Sequence, residues 1–122
     1  MNEIKSLPFE DNLILKLTFE FALKTIEFSE LLESHKKFIV ANQLLKSSTS
    51  IGANSIEAQN CESKADFIHK FKIAAKEADE ARYWLLICKH APTYPDPKEL
   101  LIDIETIIKM LSKIISTTKR KS

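Results

Sequence analysis

Apolar residues recur along most of the chain at helical spacing, in four runs separated by short polar or proline-bearing breaks. The last run is the cleanest. Leu100, Ile104, Ile107, Leu111 and Ile114 follow at alternating steps of four and three, Ile108 and Ile115 widen the face, and Thr106, Lys109, Ser112 and Lys113 hold the other side. Asp96-Pro97-Lys98-Glu99 before it reads as N-cap, proline at the first helical position and acid in the first turn. The break His90 to Pro95 (HAPTYP) ends the preceding run, because proline disfavours helix in the residue before it. That preceding helix is expected from a Ser63 cap, with Asp66 three residues on, to His90. Phe67, Phe71, Ala74, Ala78 and Leu85 form its inner stripe, and Ile73, Trp84 and Ile87 lie on another side.

The first run, Asn12 to about Leu32, alternates at Leu13, Leu15, Leu17, Phe19, Phe21 and Leu23 as a strand would. Its charges decide for a helix. Lys16, Glu20, Lys24 and Glu27 step by four, four and three, which gathers them on one helical stripe. Asp11 and Asn12 are the candidate caps. This helix is apolar around more of its circumference than one core face needs. Either it is buried among three others, or it carries a second face for another subunit. The second run, about Lys37 to Asn60, places Val40, Leu44, Ile51 and Ala58 inside, but Ser47 to Ser50 and Gly52 are poor helix formers that packing must offset. Small residues here, and alanines at 74, 75, 78 and 81 in the next helix, predict two closely packed helices.

Four amphipathic helices with short connections predict an all-α, antiparallel up-down-up-down four-helix bundle. It occupies residues 1–122 as one domain, with an extended arm at 1–11, for which Leu7 and Phe9 are candidate anchors, and a basic tail at 119–122. The length suits one modest core. A single glycine argues against an all-β fold. Eighteen Lys and Arg against 17 Asp and Glu argue against a strongly basic nucleic-acid binder, though not against a local patch. Cys61 and Cys88, roughly 40 Å apart along a helix, are too distant for an internal disulfide, and no signal-like or membrane-length apolar run is present. These features predict a reduced cytoplasmic chain.

Candidate chemistry is thin. A di-metal bundle site needs Glu-x-x-His twice, and the chain offers only Asp66-x-x-His69 once, so neither a metal site nor a cofactor is expected. Cys88 lies near His90 without a third partner. Lys76 and Glu80 are spaced to pair. No catalytic residue is assigned and the chain is read as a non-enzyme. The surplus apolar residues Phe19, Leu23, Ile73, Trp84 and Ile87 are the candidate oligomer interface. Lys119, Arg120 and Lys121 are the candidate nucleic-acid contacts, set against the plainer reading of a solvated terminus.

Several uncommon words occur in a telling order: Ser50-Ile51-Gly52-Ala53-Asn54 with Glu57-Ala58-Gln59, then Glu62 to Lys70 (ESKADFIHK), Lys76 to Glu80 (KEADE) and Tyr83-Trp84-Leu85. They resemble the four-helix-bundle family encoded in intervening sequences of bacterial 23S ribosomal RNA genes. The basic and aromatic opening frequent in that family is absent here. The resemblance implies an antiparallel bundle, ring-like pentamers and no catalytic residues. A related branch, the accessory protein of diversity-generating retroelements, binds nucleic acid through a basic surface. The combined expectation is a homo-oligomer, pentameric, that binds RNA or a ribonucleoprotein partner. The alternative is a protein-interaction scaffold without nucleic-acid affinity.

Overall fold

The computed structural model describes residues 7–121. Four helices succeed one another in order: α1 Leu13–Ser34, α2 Phe38–Ala58, α3 Lys64–His90 and α4 Lys98–Arg120. Residues 1–6 of the expected arm and Ser122 of the tail lie outside the described residues. The described part of the arm is a bend rather than an extended strand. Phe9 takes a left-handed φ of 69° and turns its ring edge-on to Phe19, 5.8 Å between centroids, while Leu7 stays exposed.

Local chemistry sets several of the helix ends. The Asn12 side chain accepts the Leu15 N–H, and Ser63 Oγ accepts that of Asp66, so each occupies one of the orphan donors of a first turn. α1 closes with Lys36 in a left-handed conformation, φ 62°. The Lys37 N–H then reaches Leu32 O and the Lys36 N–H reaches Glu33 O, the paired bonds of a Schellman motif without its usual glycine. One expected cap fails. The N-cap of α4 is Pro97, not Asp96, and no side chain caps it. The end of α4 also differs from the expected tail, because Lys119 and Arg120 form its last helical turn.

Neighbouring helices run in opposite directions. Asn12 at the start of α1 meets Gln59 just beyond α2, and Ser29 late in α1 donates to Ala41 O early in α2. Lys37 before α2 reaches Thr93 after α3, and Lys64 at the start of α3 donates to Lys121 O after α4. The helices therefore form a square in chain order. α2 packs most extensively on α3, α1 and α4 meet least, and the diagonal pairs do not approach among the described residues. Phe21, Leu32, Leu44, Ile51, Phe71, Leu85, Ile104, Ile107 and Leu111 fill the centre.

The core also contains hydroxyls. Thr18, Thr25, Ser29, Ser47, Ser48 and Ser55 are all buried. Thr18, Thr25, Ser47 and Ser55 each donate to a carbonyl one turn earlier, which satisfies them within their own helix. Gly52 faces α1 across this layer. A Cβ built on it would lie 3.3 Å from Thr18 Oγ1 and 3.5 Å from Thr18 Cβ. The glycine has no positive φ, so close approach and not backbone freedom explains it. The hydroxyl of Ser48 alone has no partner among the buried side-chain polar atoms described.

This layer sets two stability outcomes. Ser48→Ala removes an unpartnered buried oxygen and should raise unfolding free energy by about 1 kcal/mol, read by chemical denaturation. Gly52→Leu drives a branched side chain into Thr18 and should lower it by roughly 1–3 kcal/mol, with a matching fall in Tm.

Candidate association surface

An uncharged strip lies over the α1–α2 seam. Helical steps carry Leu15, Phe19, Ala22, Leu23 and Ile26 along the flank of α1 that borders α2. On α2, Leu45, Thr49, Gly52 and Ile56 are spaced at steps of four, three and four, and Phe38 continues the same line one heptad earlier. Between them runs an open groove of about 230 Å³ lined by Leu15, Thr18, Phe19, Ala22, Thr49, Gly52, Ala53 and Ile56, with no ionisable side chain among them. Around it Leu23, Ile26, Phe38 and Ile56 are 42, 40, 58 and 38% exposed. The groove exists because Gly52 and Ala53 leave no bulk to fill it.

The five residues expected at an interface do not gather in one patch. Phe19, half-buried, and Leu23, exposed, belong to this α1–α2 face. Ile73, Trp84 and Ile87 are half-buried on α3. Trp84 stands two heptads from Lys70, whose Nζ pairs with Glu57 of α2 at 2.7 Å, so this flank borders the other side of α2. Trp84 and Ile87 pack against the core. Trp84 Nε1 donates to Glu80 at 3.3 Å, and its ring meets Tyr83 edge-on at 5.4 Å. The expected Lys76–Glu80 pair is not formed. Thr49, Ala53 and Ile56 do not stand out as surface residues in the sequence. The signal for Thr49 and Ile56 is the uncharged four-three-four line on α2, and Ala53 stands beside it.

The α1–α4 seam is of another kind. Lys24 Nζ stands 2.9 Å from both Glu99 and Asp103, and shallow grooves of about 260 and 100 Å³ meet at it. Hydrogen bonds to Glu99 and then Asp103 raise the Lys24 pKa above its ordinary value, against a smaller opposing effect of burial. Ion pairs this exposed contribute at most about 1 kcal/mol.

No chemistry assembles elsewhere. Among the described residues no three His, Cys, Asp or Glu side chains converge as a metal site would require. His69 is exposed, as are His35, whose ring Nδ1 contacts Leu31 O, and His90. Cys88 is 1% exposed, and desolvation pushes its thiol up to about 11. Cys61 is half-exposed in the α2–α3 connection, and both cysteines are free. Lys119, Arg120 and Lys121 are exposed at the end of α4, where Arg120 donates to Thr117 Oγ1 and the Lys121 carbonyl accepts from Lys64.

A family model described as 23S rRNA-intervening sequence protein matches residues 10–113. A crystal structure of a protein of unknown function from the S23 ribosomal protein family of Bacteroides thetaiotaomicron is 36% identical. It covers 84% of this chain and 97% of its own, with a TM-score of 0.79. No curated protein matches the chain.

The two thiols should separate by reactivity. At pH 8 a maleimide or iodoacetamide should label Cys61 readily and Cys88 only after denaturation, as peptide mass spectrometry would show. A raised thiol pKa in the folded state stabilises the fold below the unfolded value of about 8.5. That contribution should fall as pH rises toward 11, and Cys88→Ser should flatten the fall.

Proposed function

The chain belongs to the 23S rRNA-intervening sequence protein family, and on that footing we propose that it is a non-enzymatic helical bundle that assembles with copies of itself, as a pentameric ring, and binds RNA or a ribonucleoprotein partner. The uncharged α1–α2 face supports self-association. Leu23, Ile26, Phe38 and Ile56 stay exposed together beside a groove that no described residue fills. A contiguous apolar patch rimmed by charge is costly on a monomer and is covered when another surface docks on it. A ring needs two different complementary patches on each copy. In this reading the α1–α2 face is one of them, and the half-buried Trp84 flank of α3 is the other.

The cytoplasm is the proposed location, in keeping with two unpaired thiols. No described helix is long and apolar enough to cross a membrane. A scaffold without nucleic-acid affinity is the second reading, favoured by a formal net charge of only +1. RNA titration at two salt concentrations separates the two, since phosphate contacts weaken steeply with salt.

Light scattering at micromolar concentration should return a multiple of the 14.0 kDa chain mass, five for the ring. Leu23→Glu should shift it to the monomer with helicity intact, whereas Ile102→Glu, on an exposed site of α4, should not. A monomeric wild-type chain would refute self-association.

A further inference from the structure

α4 changes sign part of the way along. Its acids Glu99, Asp103 and Glu105 all stand in its first third, and each is ion-paired, the first two with Lys24 and the last with Arg82. From Thr106 to Lys121 there is no acid, and Lys109, Lys113, Lys119, Arg120 and Lys121 are all exposed. None of the five forms an ion pair with another described residue. Ion pairs are few elsewhere too, joining only Lys16, Lys24, Lys70 and Arg82 to carboxylates among the described residues, but acids are interspersed along α1 and α3, whereas α4 has none after Glu105. This end of α4 is therefore a run of exposed cations with no acid of its own helix beside it and no ion-pair partner among the described residues.

The geometry of that surface limits its ligand. Lys109, Lys113, Ser116 and Arg120 are spaced at steps of four, three and four, so they form one straight outward row. It spans roughly 16 Å at 1.5 Å per residue. No aromatic residue occurs between Tyr94 and Lys121, so α4 itself offers no platform on which unpaired bases would stack. A rigid row of cations with hydroxyls and no aromatic rings matches regularly spaced phosphates and sugar hydroxyls, not splayed bases. Double-stranded RNA is read in that way, by shape and by 2′-hydroxyl and phosphate contacts across its shallow minor groove.

Resting on the proposed RNA binding, we infer that the Lys109–Lys113–Arg120 row of α4 takes the phosphate backbone of double-stranded RNA without regard to sequence. Ser112 borders the row with its hydroxyl, and Ser116 within the row, whose Oγ donates to Lys113 O, offers an acceptor toward the sugar edge. The contact widens the expected Lys119, Arg120 and Lys121 site by more than two turns and makes Arg120 the shared residue.

The test is fluorescence anisotropy with the full chain and three probes: an arbitrary RNA duplex of about 16 base pairs, single-stranded oligouridine of equal length, and the DNA duplex of the same sequence. The RNA duplex should bind tightest. Three phosphate contacts per chain give a log–log salt slope near −2.7, so raising salt from about 50 to about 200 mM should weaken binding roughly 40-fold or more. Lys109→Glu with Lys113→Glu should cost at least about tenfold, while Lys72→Glu with Lys76→Glu on α3 should cost little. Circular dichroism and light scattering establish that the variants keep their fold and assembly. Tighter binding of oligouridine or of the DNA duplex would overturn the assignment of ligand. RNA binding that survives the α4 reversal would overturn the site while leaving the RNA reading standing. No binding to any probe would remove both and leave the scaffold.

Discussion

The close approach of α1 and α2 at Thr18 and Gly52 governs how the rest of the bundle is arranged. A side chain at position 52 would meet Thr18 Oγ1 at 3.3 Å, and that oxygen is already held by Ile14 O at 2.8 Å and Leu15 O at 3.2 Å. The two helices come together because one presents a hydroxyl that needs nothing from its neighbour and the other presents no side chain at all. A polar group inside a core costs free energy only when unpaired. Bonding back to the preceding turn lets Thr18, Thr25, Ser47 and Ser55 occupy core positions as small, saturated side chains. Gly52 costs about 1 kcal/mol of helix propensity, which the tighter packing offsets.

That arrangement has a consequence on the outside. Side chains small enough to draw the axes together leave a furrow where the two helices diverge toward solvent. The furrow is apolar because its walls are Leu15, Phe19, Ala22, Ala53 and Ile56. The α1–α4 seam answers a different constraint. It is the least extensive contact of the square, packed through Phe21, Phe28, Leu100 and Ile107 and bridged at its surface by Lys24 to Glu99 and Asp103. One bundle thus carries an apolar seam suited to a protein surface and a polar seam suited to water. The longest stretch of α4 without an acid, Thr106 to Arg120, follows the two acids that bind Lys24.

Helix number, order and most boundaries were legible in the residues, because periodicity, capping and proline breaks are local. The Ser63 cap and the His90 stop agree with the structure within a residue. The Asp96 cap does not, since its side chain makes no bond to the first turn and Pro97 takes that position. Lys76 and Glu80 have the spacing of a pair but do not form one, because spacing permits a contact that solvated side chains need not keep. In α1 the buried line Ile14, Thr18, Phe21, Thr25, Phe28 and Leu32 steps by four and three throughout. Reading only the apolar letters hid it, since two of its members are threonines.

The sequence by itself determined four amphipathic helices, most of their ends and the inner arcs of α2, α3 and α4, because those depend on contacts a few residues apart. Only the tertiary structure decided which neighbour each arc faces. Gly52 turns to Thr18 of α1 rather than to the alanines of α3, and Leu23 and Trp84, alike as surplus apolar residues, lie on opposite sides of α2. Helical spacing fixes the angle of a side chain about its own axis, whereas the partner at that angle depends on how four axes pack at once.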